Sequence, residues 1–129
     1  MTTARSSEDT ILELERGALE RWGAGDPDGF LEISAPDVTY FDPYVEQRVD
    51  GIDALRTLYA GLRGRVHIDR FEIVNPVVQR HGELAVLSFQ FVSYSGANAM
   101  RWNTTEVYRR EAAGWRIIHT HWAFTRPGQ

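Results

Sequence analysis

Apolar positions first recur at helical spacing near the N-terminus. Ile11, Leu14, Ala18 and Trp22 form one stripe, with Leu12 and Leu19 beside it. Ser7 stands where a cap is expected, and Glu8 and Asp9 suit the positive end of the helix dipole, so the spacing predicts a helix over 8–23. Gly23-Ala24-Gly25 ends it. Asp26-Pro27 then opens a short second helix, with the aspartate as cap and proline at the first helical position; Phe30, Leu31 and Ile33 supply its buried side. Residues 37–42 read as a strand that stops at Pro43, which cannot donate to a ladder. A loop runs to about Gly51. Ile52, Leu55, Leu58, Tyr59 and Leu62 then return to helical spacing, predicting a third helix over 52–63 that ends near Gly64.

From Arg65 the period changes to two. Four strands are predicted at 66–80, 83–95, 99–111 and 115–125, separated by His81-Gly82, Ser95-Gly96-Ala97-Asn98 and Ala112-Ala113-Gly114. Helices first and an antiparallel meander second is the α+β pattern, a sheet curling over helices packed on one face. Asn75-Pro76 falls inside the first long strand, where proline is tolerated at a bulge or an edge, and a bend there would curve the sheet. A strongly curved sheet closed on one side by helices makes a cone, and its mouth is a natural small-molecule pocket. Function is therefore expected on inward-facing strand positions.

The length of 129 residues fits one domain spanning 1–129, with residues 1–7 expected to be flexible. A content of 43% hydrophobic and 25% charged residues excludes a disordered or fibrous chain. The net charge of −4 argues against a nucleic-acid partner, because phosphate neutralisation needs a basic face. No stretch approaches the ~20 apolar residues of a membrane span, and the start lacks the apolar run of a signal peptide, so a cytoplasmic location without a membrane partner is expected. The absence of cysteine excludes disulfides, thiolate nucleophiles and zinc–thiolate sites. All 14 basic residues are arginine, which removes Schiff-base and phosphate-loop lysines and fits a GC-rich, bacterial coding genome.

Alternation through Val38-Thr39-Tyr40-Phe41-Asp42-Pro43 puts Val38, Tyr40 and Asp42 on one face. Facing a pocket, Asp42 is a general-base candidate; otherwise it caps the turn at Pro43 through the backbone. Trp102, Thr104, Glu106 and Tyr108 share a face of the third long strand, leaving Glu106 either as a pocket carboxyl or as an exposed partner for Arg109. His119 and His121 fall on one side of the last strand, where, with Asp42 or Glu106, they could hold a divalent metal or could simply pack. Trp22, Trp102, Trp115 and Trp122 could stack on a flat ligand, although Trp22 and Trp115 fit a core role better. Arg109-Arg110 reads as a solvated strand end.

Almost the whole chain resembles the nuclear-transport-factor-two-like superfamily, also called SnoaL-like or ketosteroid-isomerase-like. The resemblance rests on element order, Gly25-Asp26, the stretch from Ala35 to Pro43, and Asp50-Gly51. The second half is similar to bacterial relatives of the association domain of calcium/calmodulin-dependent kinase II, through Asn75-Pro76, Gly82-Glu83 and the run from Gly114 to His121. The resemblance implies a cystatin-like α+β barrel, a cone of mainly antiparallel sheet wrapped around N-terminal helices. It also implies that Asp42, before Pro43, matches the proton-shuttling aspartate of the isomerases. Glu106 then stands where the isomerases carry a protonated acid that donates to the oxyanion, a role open to a carboxylic acid kept neutral by an apolar site. The isomerase tyrosine on helix one is replaced by Ala18, for which Tyr40, Tyr108 or His119 are candidate substitutes.

The expected function is a cofactor-free, metal-free acid/base enzyme, an isomerase, cyclase or dehydratase, with Asp42, Glu106 and Tyr40 as catalytic residues. Trp102, Thr104, Tyr108, His119, His121 and Trp122 are expected to touch a small apolar or carbonyl-bearing ligand. The alternative is a non-catalytic ligand-binding or oligomerisation module, and the resemblance implies a homodimer.

Overall fold

The protein is described by a computed structural model over residues 6–126. Helix α1 (Ser7–Gly23) buries Ile11, Glu15, Ala18 and Leu19; of the expected stripe Leu14 and Trp22 are only half-buried, and one acid joins the buried face. Ser6, one residue earlier than the expected cap, accepts a hydrogen bond from the Asp9 amide at 3.1 Å. Ser6 and Ser7 thus belong to the helix start, while the rest of the segment expected to be flexible lies outside the described residues. The chain leaves α1 through Gly25, at φ +88°, where a Cβ would come within 3.2 Å of the Gly64 Cα. That approach lets the Gly64 amide donate to the Gly25 carbonyl at 2.9 Å, tying the end of α1 to the loop before the meander.

Helix α2 (Asp28–Glu32) starts one residue later than expected. Pro27 is its cap, and Asp26 Oδ1 accepts from the Asp28 amide at 3.0 Å. Strand β1 (Ser34–Phe41) begins before the expected position 37, because its N-terminal end pairs in parallel with β6 (Gly114–Phe124), Ser34 opposite Ile117. That long-range pairing leaves no local signature. Within the expected loop, β2 (Val49–Asp50) pairs antiparallel with β1, and Gly51, at φ +89°, turns the chain into α3 (Ile52–Ala60). The third helix stops short of 63: Leu62 and Gly64 lie in the turns that follow.

The meander consists of β3 (Arg70–His81), β4 (Leu84–Ser95), β5 (Asn98–Glu111) and β6. The curled sheet has the order β2-β1-β6-β5-β4-β3, antiparallel except for β1 with β6. Residues 66–69, expected in the first long strand, form a connection instead. At Asn75-Pro76 the β3–β4 register slips between Val74 and Val77, and Asn75 takes φ +50°: the bulge that the proline demanded. Inward residues of β3 to β6 close over α1 and α3 around Leu19, Leu55, Leu87, Phe89 and Ile117. The result is the mixed α+β cone expected from the sequence.

Candidate active site

The concave side of the sheet and the helices enclose a cavity of about 340 Å³, at the compact end of ligand pockets. Its wall is largely aromatic. Trp22 comes from α1, Tyr59 from α3, Tyr40 from β1, Phe91 from β4, Trp102 from β5 and Trp122 from β6. The rings hold one another edge to face, with centroids 5.1 Å apart for Trp22–Tyr59, 5.7 Å for Tyr40–Tyr59 and 5.9 Å for Trp102–Trp122. Tyr44, Val66 and His67 join the wall from the loops, and Ser95 from the end of β4.

Asp42 lies on this wall immediately after β1. Its Oδ1 accepts from the Tyr44 and Val45 amides at 2.7 and 3.1 Å, and its Oδ2 accepts from the Tyr40 hydroxyl at 2.7 Å. The two readings of this aspartate are therefore compatible: one oxygen caps the turn after Pro43, and the other belongs to the cavity. Burial, first, and the neighbouring Tyr59 and Asp42 raise the Tyr40 pKa well above the tyrosine range. Tyr40 consequently remains a donor at neutral pH.

Glu106 does face inward, but it lies beneath the cavity and not on its wall. It is fully buried beside an equally buried Glu15 from α1. The Tyr108 hydroxyl donates to Glu15 Oε1 at 2.7 Å and approaches Glu106 Oε2 at 3.4 Å. Glu15 Oε2 and Glu106 Oε1 receive no hydrogen bond from any other side chain, and the two carboxyl groups hydrogen-bond to each other, Glu106 as the protonated donor. Burial raises both carboxyl pKa values, Glu106 further through the charge of Glu15, because two carboxylates in one dry site cannot both ionise cheaply. Tyr59, whose own pKa is raised by burial and then by Glu106, stands between this pair and the cavity.

The remaining expected residues divide by strand face. Trp102 and Trp122 line the cavity, while Thr104 and Tyr108 are buried on the same inward face without joining its wall. His119 and His121 do not meet the cavity: β6 pairs them with Thr39 and Phe41, whose side chains alternate away from Tyr40. The Thr39 hydroxyl lies 2.7 Å from His119 Nδ1, and Phe41 packs against both imidazoles. Neither Asp42 nor Glu106 joins the two histidines, and no cluster of three metal-ligating side chains occurs among the described residues. Arg109 pairs with Asp37 and Glu111, not with Glu106. Of the two tryptophans assigned to the core, Trp115 is buried, whereas Trp22 lines the cavity.

Two residues of the site escape a reading of the sequence. Glu15 falls between Ile11 and Ala18 on the apolar stripe of α1, and an acid at that phase is the signal that could have found it. Tyr59 shares the apolar face of α3, where a tyrosine reads as core.

A SnoaL-like domain model matches residues 16–120. Among solved structures, a protein provisionally named a ketosteroid isomerase, from Parabacteroides distasonis, is 39% identical, with a TM-score of 0.87 over 97% of this chain and 92% of that one. An NTF2-like protein of unknown function from Pseudomonas putida is 22% identical, with a TM-score of 0.81 over 95% of this chain and 89% of that one. The S. rosetta calcium/calmodulin-dependent kinase II hub is 20% identical, with a TM-score of 0.76 over 97% of this chain and all of the hub. These last two likenesses speak to the fold alone. A search of curated proteins found no match. With the domain model covering most of its length, the chain belongs to the SnoaL-like domain family.

Proposed function

We propose that the protein is a small-molecule enzyme that moves a proton by general acid/base catalysis, without a cofactor, in the aromatic cavity. The observation that carries this reading is Asp42, a carboxylate held on an otherwise largely apolar wall by three donors, one of them the Tyr40 hydroxyl. A carboxylate offers about four acceptor positions, so three bonds leave room for a proton from substrate. Asp42 is the base, Tyr40 holds its second oxygen, and Trp102 and Trp122 position a flat apolar or carbonyl-bearing ligand. Of the substitutes for the helix-one tyrosine, Tyr40 lines the cavity but donates to Asp42, Tyr108 is engaged with Glu15, and His119 lies outside the cavity. Tyr59, not among those candidates, adds a second buried hydroxyl to the wall, and burial keeps it protonated. Glu106 acts one layer back, as a positioning residue with Glu15 and Tyr108.

The test needs no knowledge of the natural substrate. A panel of cyclic ketones in D2O is followed by NMR for exchange of the protons next to the carbonyl. Catalysed exchange that falls about 10²–10⁴-fold in Asp42→Asn supports the reading. Exchange unchanged in that variant removes Asp42 as the base.

A second reading, a binding or assembly module, is favoured by Ala18 at the position where the isomerases carry tyrosine. A homodimer is proposed in either case, through the outer sheet face that carries Phe41, His119 and His121. A monomer by light scattering at micromolar concentration sinks the dimer.

A further inference from the structure

Acid/base chemistry alone leaves the charge pattern of the cavity unused. Asp42 brings a carboxylate to a wall otherwise dominated by rings, among them Trp22, Tyr59, Trp102 and Trp122. Among the described residues no arginine lines the cavity, and the chain contains no lysine. His67 reaches the wall but turns its Nε2 to Asp69 Oδ1 at 2.8 Å, and its side chain is 79% exposed. An anionic ligand would meet a carboxylate with no fixed cation to offset it, which selects against that class.

The same pattern bears on the chemistry. Taking a proton from carbon beside a carbonyl leaves an enolate, and no cationic side chain of the wall is aimed at it. A substrate that carries its own positive charge removes that difficulty. Ring faces attract ammonium groups through their negative quadrupoles, and the attraction strengthens where water is excluded. A carboxylate at the edge of such a ring cluster supplies the counter-ion. Asp42 is already oriented by the Tyr40 hydroxyl and two backbone amides, so little ordering remains when a cation arrives.

Building on the reading of this cavity as a small-molecule site, we propose that its ligand is a compact organic cation. An ammonium group on an apolar frame lies over the ring faces with Asp42 as its counter-ion. The cavity volume of about 340 Å³ sets the compactness, and the absence of arginine and lysine from the wall among the described residues sets the charge.

The test compares phenethyltrimethylammonium with 3,3-dimethylbutylbenzene, which has carbon in place of the charged nitrogen and nearly the same shape. Each is titrated into the full chain, with tryptophan fluorescence as the readout. The cation is expected to bind at least about tenfold more tightly, from ring attraction and ion pairing together. Asp42→Asn should bring the ratio toward unity; the amide oxygen still accepts from Tyr44 and Val45, and circular dichroism checks that the fold is kept. Trp102→Leu is the second variant, expected to weaken the cation more than the neutral compound. The proposal is overturned if the neutral compound binds as tightly, if the cation shows no binding at about 1 mM, the weak end of ordinary affinities, or if both variants leave the ratio unchanged. None of these results touches the base role, which depends on the ketone exchange. A cation that binds without any Asp42-dependent exchange would keep the ligand class and reject the base.

Discussion

Replacing Glu106 by glutamine measures how many protons the buried acid pair holds. Glu15 and Glu106 are both fully buried, share one tyrosine hydroxyl and hydrogen-bond to each other. Burial therefore raises both pKa values, with the charge of Glu15 as the second cause for Glu106. The sign follows from linkage. Above a pH of about 4.3 the unfolded chain releases the glutamate proton while the native protein retains it, so stability falls as pH rises toward the native pKa. Each retained proton removes about 1.4 kcal/mol of stability per pH unit in that window. Glu106→Gln deletes one such proton, and its amide can still donate to Glu15. The variant should gain on the wild type by about 1.4 kcal/mol for each pH unit over which Glu106 keeps its proton in the native protein. Urea unfolding at pH 5, 6 and 7 reads the difference, with equal m-values as the control. Other titrating groups cancel in it, including Asp26, Asp37 and Asp69, whose pKa values are lowered by their partners, and His119, lowered by burial and then by His121. Parallel stability curves across those pH values would refute the protonated pair.

Tyr108→Phe removes the hydroxyl that Glu15 and Glu106 share and leaves the buried Glu15 Oε1 without the hydrogen bond it accepts, so urea unfolding at pH 6 should show a loss of about 1–3 kcal/mol. Gly25→Ala forces a side chain into φ +88° and toward the Gly64 backbone at 3.2 Å; the same assay should show a loss of at least about 1–2 kcal/mol. Leu55→Ala, at a position 1% exposed, should cost about 2–5 kcal/mol without changing the cation preference of the cavity, as read by the fluorescence titration.

The elements most legible in the sequence are those whose partners are near in the chain. The period-two segments after Arg70 form sequential hairpins, and Asn75-Pro76 marks the bulge because proline removes a ladder donor where it stands. The start of β1 and all of β2 are less legible. Ser34 pairs with Ile117 across most of the chain, and β2 is a two-residue edge with no period of its own. Propensity sees neither, since both are decided by what lies opposite.

Alternation assigns a residue to a face of a strand but says nothing of its depth along the cone, and this separates the expected residues that line the cavity from those that do not. Trp102, Thr104, Glu106 and Tyr108 all face inward, as their phase requires, yet only Trp102 reaches the cavity wall. The others lie deeper, where α1 fills the cone and supplies Glu15 as the second acid. Depth is fixed by how a helix docks against a curled sheet, a relation between residues more than ninety positions apart in the case of Glu15 and Tyr108. The isomerase-like pairing of Asp42 with Glu106 thus resolves into two layers. Asp42 with Tyr40 faces the cavity, and a shared-hydroxyl acid pair stands beneath it, with Tyr59 between the two. Under the proposed acid/base reading, an acid held behind the wall acts only through Tyr59 and the electrostatic field of the cavity floor. Replacing it should therefore shift the pH profile of ketone exchange more than the affinity for a ligand on the wall.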